Sequence, residues 1–414
     1  MKKIIKSSLA VALSVCMAAA MTACGGSSGA SSSESAPAES GAATEAAEST
    51  GAAIKIGGSG PLTGPAAVYG QAVKNAAEIA VEEINAKGGL QFELNMQDDA
   101  HDPEKAVTAY GVLKDWGMQA SLATVTSAPG AAVSPSYAED KIFAITPSGS
   151  STSVIYADPD NLSGAFGNVF QMCFTDPNQG TASADYISAH PELGTKVGII
   201  YKNDDNYSKG IFDTFMAEAA AKGLNVVYSE GTFDDSNAQD FTVQLGKAQE
   251  AGADILFLPI YYDPASLILT QANGMGYKPT FFGVDGMDGI LGLEGFDTSL
   301  AEGVYLLTPF SADATDELTV NFVTKYKEKF GEVPNQFAAD AYDCVYAIAQ
   351  ACEAAGVTAD MSSDEICTKL VEQFTTMTFS GLTGSEMKWN ANGEVTKSPK
   401  AVVIQNGVYV GVED

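Results

Sequence analysis

The chain has 414 residues, 45% of them hydrophobic, and carries 52 acidic against 22 basic side chains, a net charge of −30. So acidic a surface repels nucleic acid and anionic lipid, which excludes nucleic-acid partners and leaves solubility as the plain reading of the charge. All 22 basic residues are lysine, so an anion site here must use backbone amides, hydroxyls or lysine in place of arginine's bidentate fork.

The N-terminus reads as an export signal. Lys2, Lys3 and Lys6 form a basic head, residues 9–21 an apolar run, and Thr22 and Ala23 precede Cys24. Such a run, as a helix, rises only about 20 Å, short of a hydrocarbon core of roughly 30 Å. Met21-Thr22-Ala23-Cys24-Gly25 resembles the lipobox of bacterial lipoproteins, with Met21 an unusual first residue. The resemblance implies cleavage after Ala23 and a lipid on Cys24. The competing reading is a secreted protein with an incidental Cys24. The next stretch decides for the anchor: to residue 53 it is almost wholly Ser, Ala, Gly, Glu and Thr, which bury nothing and read as an extended tether. Residues 1–23 are thus expected to be a signal peptide and 24–53 a leash. Without the signal, 19 lysines face 52 acids, a net charge of −33. No later stretch reaches about eighteen unbroken apolar residues, so the body is expected to meet the outer face of the membrane only through the lipid.

In the body, Ile54-Lys55-Ile56 reads as a strand running into a Gly/Pro turn. A helix over 67–87 follows, with Ala72, Ala76, Ile79 and Ile84 at helical spacing and Gly88-Gly89 as its stop. Then come a strand at 92–97, a helix at 103–116, a strand at 122–126, a helix at 129–140 and a strand at 142–145. Pro103 and Pro129 suit first turns. A second series begins near 178, with strands at 197–201, 226–228, 254–258 and 280–283 between helices at 207–222, 238–251 and 264–275. Long helices at 313–330, 336–355 and 363–374 return, and strand-like pieces at 402–404 and 408–410 close the chain.

Strands alternating with helices of ten to twenty residues predict an α/β fold of two doubly wound parallel-sheet domains, joined by a hinge of several chain crossings. One lobe is expected over 54–174 and 309–402, the other over 175–308 and 403–414. Ligands of such sheets sit at the carboxyl ends of the strands, so the cleft between lobes is the expected site. Catalysis finds no support: there is no G-x-S-x-G elbow, and His101 and His190 lack an evident Ser or Cys partner. No cofactor or metal is expected, since no cysteine pair has metal spacing. The Gly57–Pro65 stretch fails the nucleotide-loop spacing and loses two amides to proline. His101 reads as a solvated loop residue. Cys344 and Cys352 lie too far apart on one helix to bond; burial as small apolar groups is expected, with a bridge from Cys367 to that helix left open.

The strand-end loops carry hydroxyls, aromatics and one isolated acid: Ser127 at a helix start, Ser148-Gly149-Ser150, Tyr207, Tyr261 and Asp285. Singly, each is more often a cap, a turn or an interface residue; together on one edge they outline a site. Gly60-Pro61-Leu62-Thr63-Gly64 with Tyr69-Gly70, and the run Ala80-Val81-Glu82-Glu83-Ile84-Asn85-Ala86-Lys87-Gly88-Gly89, resemble the opening of the branched-chain amino-acid-binding proteins. These are type I periplasmic binding proteins serving ABC importers. Asp98-Asp99 before Asp102-Pro103-Glu104-Lys105-Ala106-Val107, then Ile145-Thr146-Pro147, Asn206-Tyr207-Ser208-Lys209-Gly210 and Asp340-Ala341-Tyr342-Asp343 extend the resemblance to the C-terminus.

The resemblance implies a lipid-anchored, monomeric receptor, not an enzyme, that captures a neutral, apolar L-amino acid and hands it to an ABC permease with a separate ATPase. By the same token Ser127 and the Ser150 amide would hold the carboxylate. The Ser148 carbonyl, Ser150 hydroxyl and Asp285 would hold the ammonium. Tyr207 and Tyr261 would close over the ligand, and Tyr69 and Phe337 would touch its side chain. Departures bear on specificity: Asp285 stands where the best-known members have Glu, Ser148 and Ser150 replace Ala and Thr, and Thr126 stands where some relatives have a disulfide cysteine. The alternatives are the same fold holding an amide or aromatic acid, and a sensory or hydrolytic surface protein.

Overall fold

The computed structural model describes residues 52–412, so the signal peptide, Cys24 and nearly all of the tether lie outside the described residues. Five parallel strands form the first sheet, in the order Phe92–Asp98, Ile54–Gly60, Ala120–Thr124, Phe143–Thr146, Val169–Gln171. The second has seven, in the order Val408–Gly411, Lys400–Gln405, Tyr305–Thr308, Thr280–Gly283, Ile255–Leu258, Val197–Lys202, Val226–Phe233. Its last two strands in sequence join antiparallel; the other five are parallel. The strand Ile255–Leu258 is buried along its whole length, as a central parallel strand covered on both faces must be.

Local chemistry sets most element ends. The helix Pro103–Trp116 starts where the Asp102 carboxylate accepts from the Glu104 and Lys105 amides, and ends at left-handed Gly117 (φ 90°). Ser362 and Glu365 form a reciprocal capping box at the helix Ser363–Phe374. The first strand runs on through the glycines to Gly60 instead of turning after Ile56. A Cβ at Gly57 would lie 2.3 Å from Met118 Sδ, and one at Gly58 2.7 Å from Met96 Sδ, so the backbone passes only where there is no side chain.

Two sheet strands, Val169–Gln171 and Tyr305–Thr308, are absent from the sequence reading. The helix Asp176–Ala189, mostly small and polar, also escaped it as a distinct element. The chain passes between sheets after Gln171, after Thr308 and before Lys400. Lys400–Gln405 lies wholly in the second sheet, so the last crossing falls ahead of Lys400 and not between residues 402 and 403.

The helices Glu317–Phe330, Gln336–Ala355 and Ser363–Phe374 return to the first lobe, where Gln336–Ala355 lies along the helix Ala67–Ala86. Phe374 bridges Phe143 and Trp389, with ring centroids 4.7 and 4.9 Å away. The segment leading to the last crossing is tied down by a fully buried ion pair: Lys397 Nζ lies 2.6 Å from Asp340 Oδ1 and donates to Thr383 Oγ1 at 2.7 Å. Cys173, Cys344, Cys352 and Cys367 are buried free thiols, so no bridge joins Cys367 to the helix Gln336–Ala355. Among the described residues no helix is long and apolar enough to cross a membrane.

Candidate ligand-binding site

The strand-end loops of both sheets meet across the cleft. From the first lobe come Tyr69 on the helix Ala67–Ala86, Ser127 at the start of Ser127–Asp140, Ser148 and Ser150 after the strand Phe143–Thr146, and Phe337 on Gln336–Ala355. From the second come Tyr207 on Asn206–Lys222, Tyr261 as cap of Tyr262–Met275, and Asp285 just past the strand Thr280–Gly283.

The Ser127 end is built to meet an anion. Thr126, the N-cap, makes no side-chain capping bond and Pro129 has no amide, so the Ser127 and Ala128 amides have no partner within the helix. Ser127 Oγ accepts from the Ser151 amide at 3.2 Å, and the Tyr261 hydroxyl faces the Ser127 backbone from the other lobe. The serine loop is held from behind: Thr146 Oγ1 accepts from the Gly149 amide at 2.7 Å, and buried Gln171 donates to the Gly149 carbonyl at 2.7 Å.

At the opposite end Asp285 is 4% exposed and its Oδ1 accepts from the Tyr207 hydroxyl at 2.5 Å. Tyr207 Oη in turn accepts from the Gly286 amide at 2.9 Å. A Cβ at Gly286 would lie 2.5 Å from that oxygen, which explains the glycine. Asp205 orients Tyr207 by capping its helix, its carboxylate accepting from the Tyr207 amide at 2.9 Å. Tyr69 joins the lobes: its hydroxyl donates to the Gly286 carbonyl and accepts from the Tyr262 amide, and its ring contacts Tyr261, Tyr262 and Phe337.

The space enclosed by Tyr69, Thr126, Ser148, Tyr207, Tyr261, Asp285, Gly286 and Phe337 has a volume of about 10 Å³, room for about one water. Ser127 and Ser150, at 1% and 0% exposure, lie one layer deeper. Thr126 and Gly286 were not among the ligand-binding residues expected from sequence. Nor was His101, which is no solvated loop residue: its Nδ1 lies 2.9 Å from Thr126 Oγ1 and its ring meets Tyr261 edge-on. Positive φ at Ala100 and His101 turns the ring inward, a backbone choice that residue type alone did not announce. Cavities of about 530 and 590 Å³ lie elsewhere, near Lys55 and near Tyr409, but neither is lined by a buried acid. No group of three or more metal-ligating side chains occurs among the described residues.

Burial pushes the Asp285 carboxyl up to about 7, against the Tyr207 hydroxyl and Gly286 amide, which favour the charged form. The sign of the consequence follows from linkage. A carboxyl raised above its unfolded value of about 4 holds extra protons in the folded state, so its contribution to stability falls as pH rises from about 4 to about 7. Asp99, Asp288 and Asp340, each raised to about 6 mainly by burial, act in the same direction. Glu83 and Asp140, lowered by their lysine partners and tyrosine hydroxyls, act only below the ordinary carboxylate range. The thermal midpoint of the ligand-free chain is therefore expected to fall between pH 5 and pH 8. Asp285→Asn should flatten the upper part of that fall. A midpoint that rises across the window would show that these acids are solvated in solution.

A sequence profile described as periplasmic binding protein matches residues 53–407. This chain belongs to that family. The binding protein is 30% identical over 237 residues to the Leu/Ile/Val-binding protein homolog 3 of Brucella melitensis, an alignment covering 56% of this chain and 61% of the relative. It thus spans about three fifths of that relative's length. Among solved structures, the branched-chain amino acid transporter substrate-binding protein LivJ of Streptococcus pneumoniae, in complex with isoleucine, is 27% identical with a TM-score of 0.75. The match covers 87% of this chain and 100% of that one. A solute-binding protein of R. palustris in complex with benzoate superposes with a TM-score of 0.76 over 87% of this chain and 96% of its own, at 18% identity, and so shares the fold alone. The two lobes are those of a type I periplasmic binding protein.

Proposed function

We propose that this binding protein is an extracytoplasmic receptor that captures a neutral, apolar L-amino acid of the branched-chain kind and presents it to an ABC permease driven by a separate ATPase. One observation supports this reading: the cleft is lined by a buried acid, Asp285, by Ser148 and by Thr126, which caps the helix whose open start is Ser127. That is the charge pattern of a zwitterion, an ammonium toward the acid and a carboxylate toward the free amides. Ser127 and the Ser150 amide take the carboxylate; the Ser148 carbonyl, Ser150 hydroxyl and Asp285 take the ammonium. Tyr69 and Phe337 border the side chain, and Tyr207 and Tyr261 close over it. The names of the relatives support the ligand class, and the absence of arginine suits a clamp of amides and hydroxyls.

With room for about one water, the cleft admits a ligand only when the lobes part and the Tyr207–Asp285 and Tyr261–Ser127 contacts give way. The amino acid then replaces internal partners by its own charges, and that differential affinity drives reclosure. A thermal-shift screen of the twenty amino acids, benzoate and simple amides tests the reading. Ligand at about 1,000 times its dissociation constant should add about 4 kcal/mol. Leucine, isoleucine or valine should give the largest shifts; shifts confined to benzoate or an amide would replace the amino acid by that solute.

Anchoring belongs to the same proposal. Cys24 carries the lipid, residues 24–53 act as a leash, and the body works as a monomer. A chain beginning at Ile54 should fold and bind as the full chain does, because the tether has nothing to bury. Cys24→Ser should release the protein from membranes without changing affinity. Loss of binding on tether removal would mean that the stretch is part of the receptor.

A further inference from the structure

Behind the ammonium end of the cleft lie buried groups with unmade hydrogen bonds. Asp176 opens the helix Asp176–Ala189, just past the first crossing between lobes, and is 1% exposed. No hydrogen bond of full geometry reaches either of its carboxyl oxygens or the fully buried hydroxyl of Ser150, although the Ser150 and Ser151 hydroxyls lie close enough to favour its charged form. Their backbones are joined, the Asp176 amide donating to the Ser150 carbonyl at 3.0 Å. On its other side Asp176 is pressed against Gly210, where a Cβ would sit 3.1 Å from Oδ2. Burial raises its pKa, and the like charges of Asp285 and Asp205 raise it further. Buried donors and acceptors are seldom left unmade side by side without a functional reason.

A proton inventory supplies one. A hydroxyl offers one donor and two acceptor positions. To receive an ammonium N–H, Ser150 Oγ must present a lone pair, and its own proton must go to an acceptor elsewhere. We infer that Asp176 is that acceptor: it takes the Ser150 hydroxyl proton, turns the Ser150 lone pair toward the ligand's ammonium, and so is a positioning residue for recognition of amines. Protonated or ionised, the carboxyl keeps an acceptor oxygen for this bond. An asparagine could instead donate its amide to Ser150 Oγ and turn the hydroxyl proton toward the ligand, where it opposes the ammonium. The inference rests on the amino-acid reading above.

Calorimetric titration of the best amino acid, and of the same molecule lacking its amino group, tests it on the parent chain, Asp176→Asn, Ser150→Ala and the double variant. Asp176→Asn is expected to weaken the amino acid at least tenfold and to leave the desamino acid within about threefold. In the Ser150→Ala background the further loss should be no more than about threefold, the non-additivity of two residues acting through one contact. Asp176→Ala, which removes an unpaired buried carboxyl, replaces the asparagine variant in the same cycle should that not fold. Equal loss for both ligands, or an undiminished loss in the Ser150→Ala background, would overturn the inference. So would Asp176→Asn binding within threefold of the parent, with the amino-acid reading untouched. A parent chain that binds no amino acid overturns both.

Discussion

Replacing Asp285 with alanine is expected to weaken binding of the best amino acid by a few hundred- to a few thousand-fold. In the closed cleft Asp285 is the buried acid opposite the ammonium, and removing one partner of such a pair strands the other at about 3–5 kcal/mol. The fold should survive. Asp285 lies in a short turn beyond a strand end, and burial, with the like charge of Asp340, pushes its carboxyl up to about 7. Its loss relieves that cost, although Tyr207 gives up an acceptor. The ligand-free midpoint near neutral pH should therefore stay level or rise. Ser127→Ala should cost less, about 1.5–3 kcal/mol for one hydrogen bond to a charged group, because the helix amides beside it remain. Titration calorimetry of both variants, with circular dichroism for the fold, gives the comparison. Asp285→Ala binding within about threefold of the parent would remove the ammonium from the ligand and point to a solute without one.

The largest expected effect on stability lies away from the cleft. Lys397→Met should destabilise the chain by about 3–5 kcal/mol, since it leaves Asp340 buried with its counter-charge gone. The pair is nearly inaccessible, with side-chain exposures of 0% and 2%. Asp343 and Asp285 add like charge nearby, and burial holds Asp340 up at about 6 even with Lys397 in place. Without the lysine that value rises further. The loss should therefore be large at pH 8 and shrink toward pH 5, as Asp340 becomes neutral in the folded state. Removing both charges, Lys397→Met with Asp340→Leu, should recover most of the loss, because apolar replacement of a buried pair is often neutral. Urea titration at both pH values reads the effect as a shift in midpoint. A loss below about 1 kcal/mol at pH 8 would mean that water reaches Asp340, against its burial here.

The two effects differ in how far the sequence exposed them. Asp285 could be singled out because it is an isolated acid directly after a strand-like run, where α/β sheets present ligand groups. Asp340 and Lys397 are 57 residues apart, and nothing in either neighbourhood marks a buried partner. The same contrast runs through the elements. The helices Pro103–Trp116 and Gln336–Ala355 are legible to the residue, from Asp102-Pro103 and Gly117 and from the apolar period ended by Gly356. Val169–Gln171 and Tyr305–Thr308 become strands only by pairing with neighbours already in place.

By itself the sequence determined the α/β alternation, the two series of strands, the absence of arginine and the strand-to-helix junctions at which Tyr69, Ser127, Tyr207, Tyr261 and Asp285 stand. These follow from periodicity and from local caps and stops, which act over a few residues. Only the tertiary structure decided what those side chains meet: Tyr207 on Asp285, Tyr69 on the Gly286 carbonyl, His101 on Thr126, and a cleft closed to about one water. It alone brought Asp176 behind Ser150 and Lys397 onto Asp340. Such contacts join segments tens to hundreds of residues apart. They are set by how two lobes and three crossings pack in space, where sequence spacing carries no information about distance.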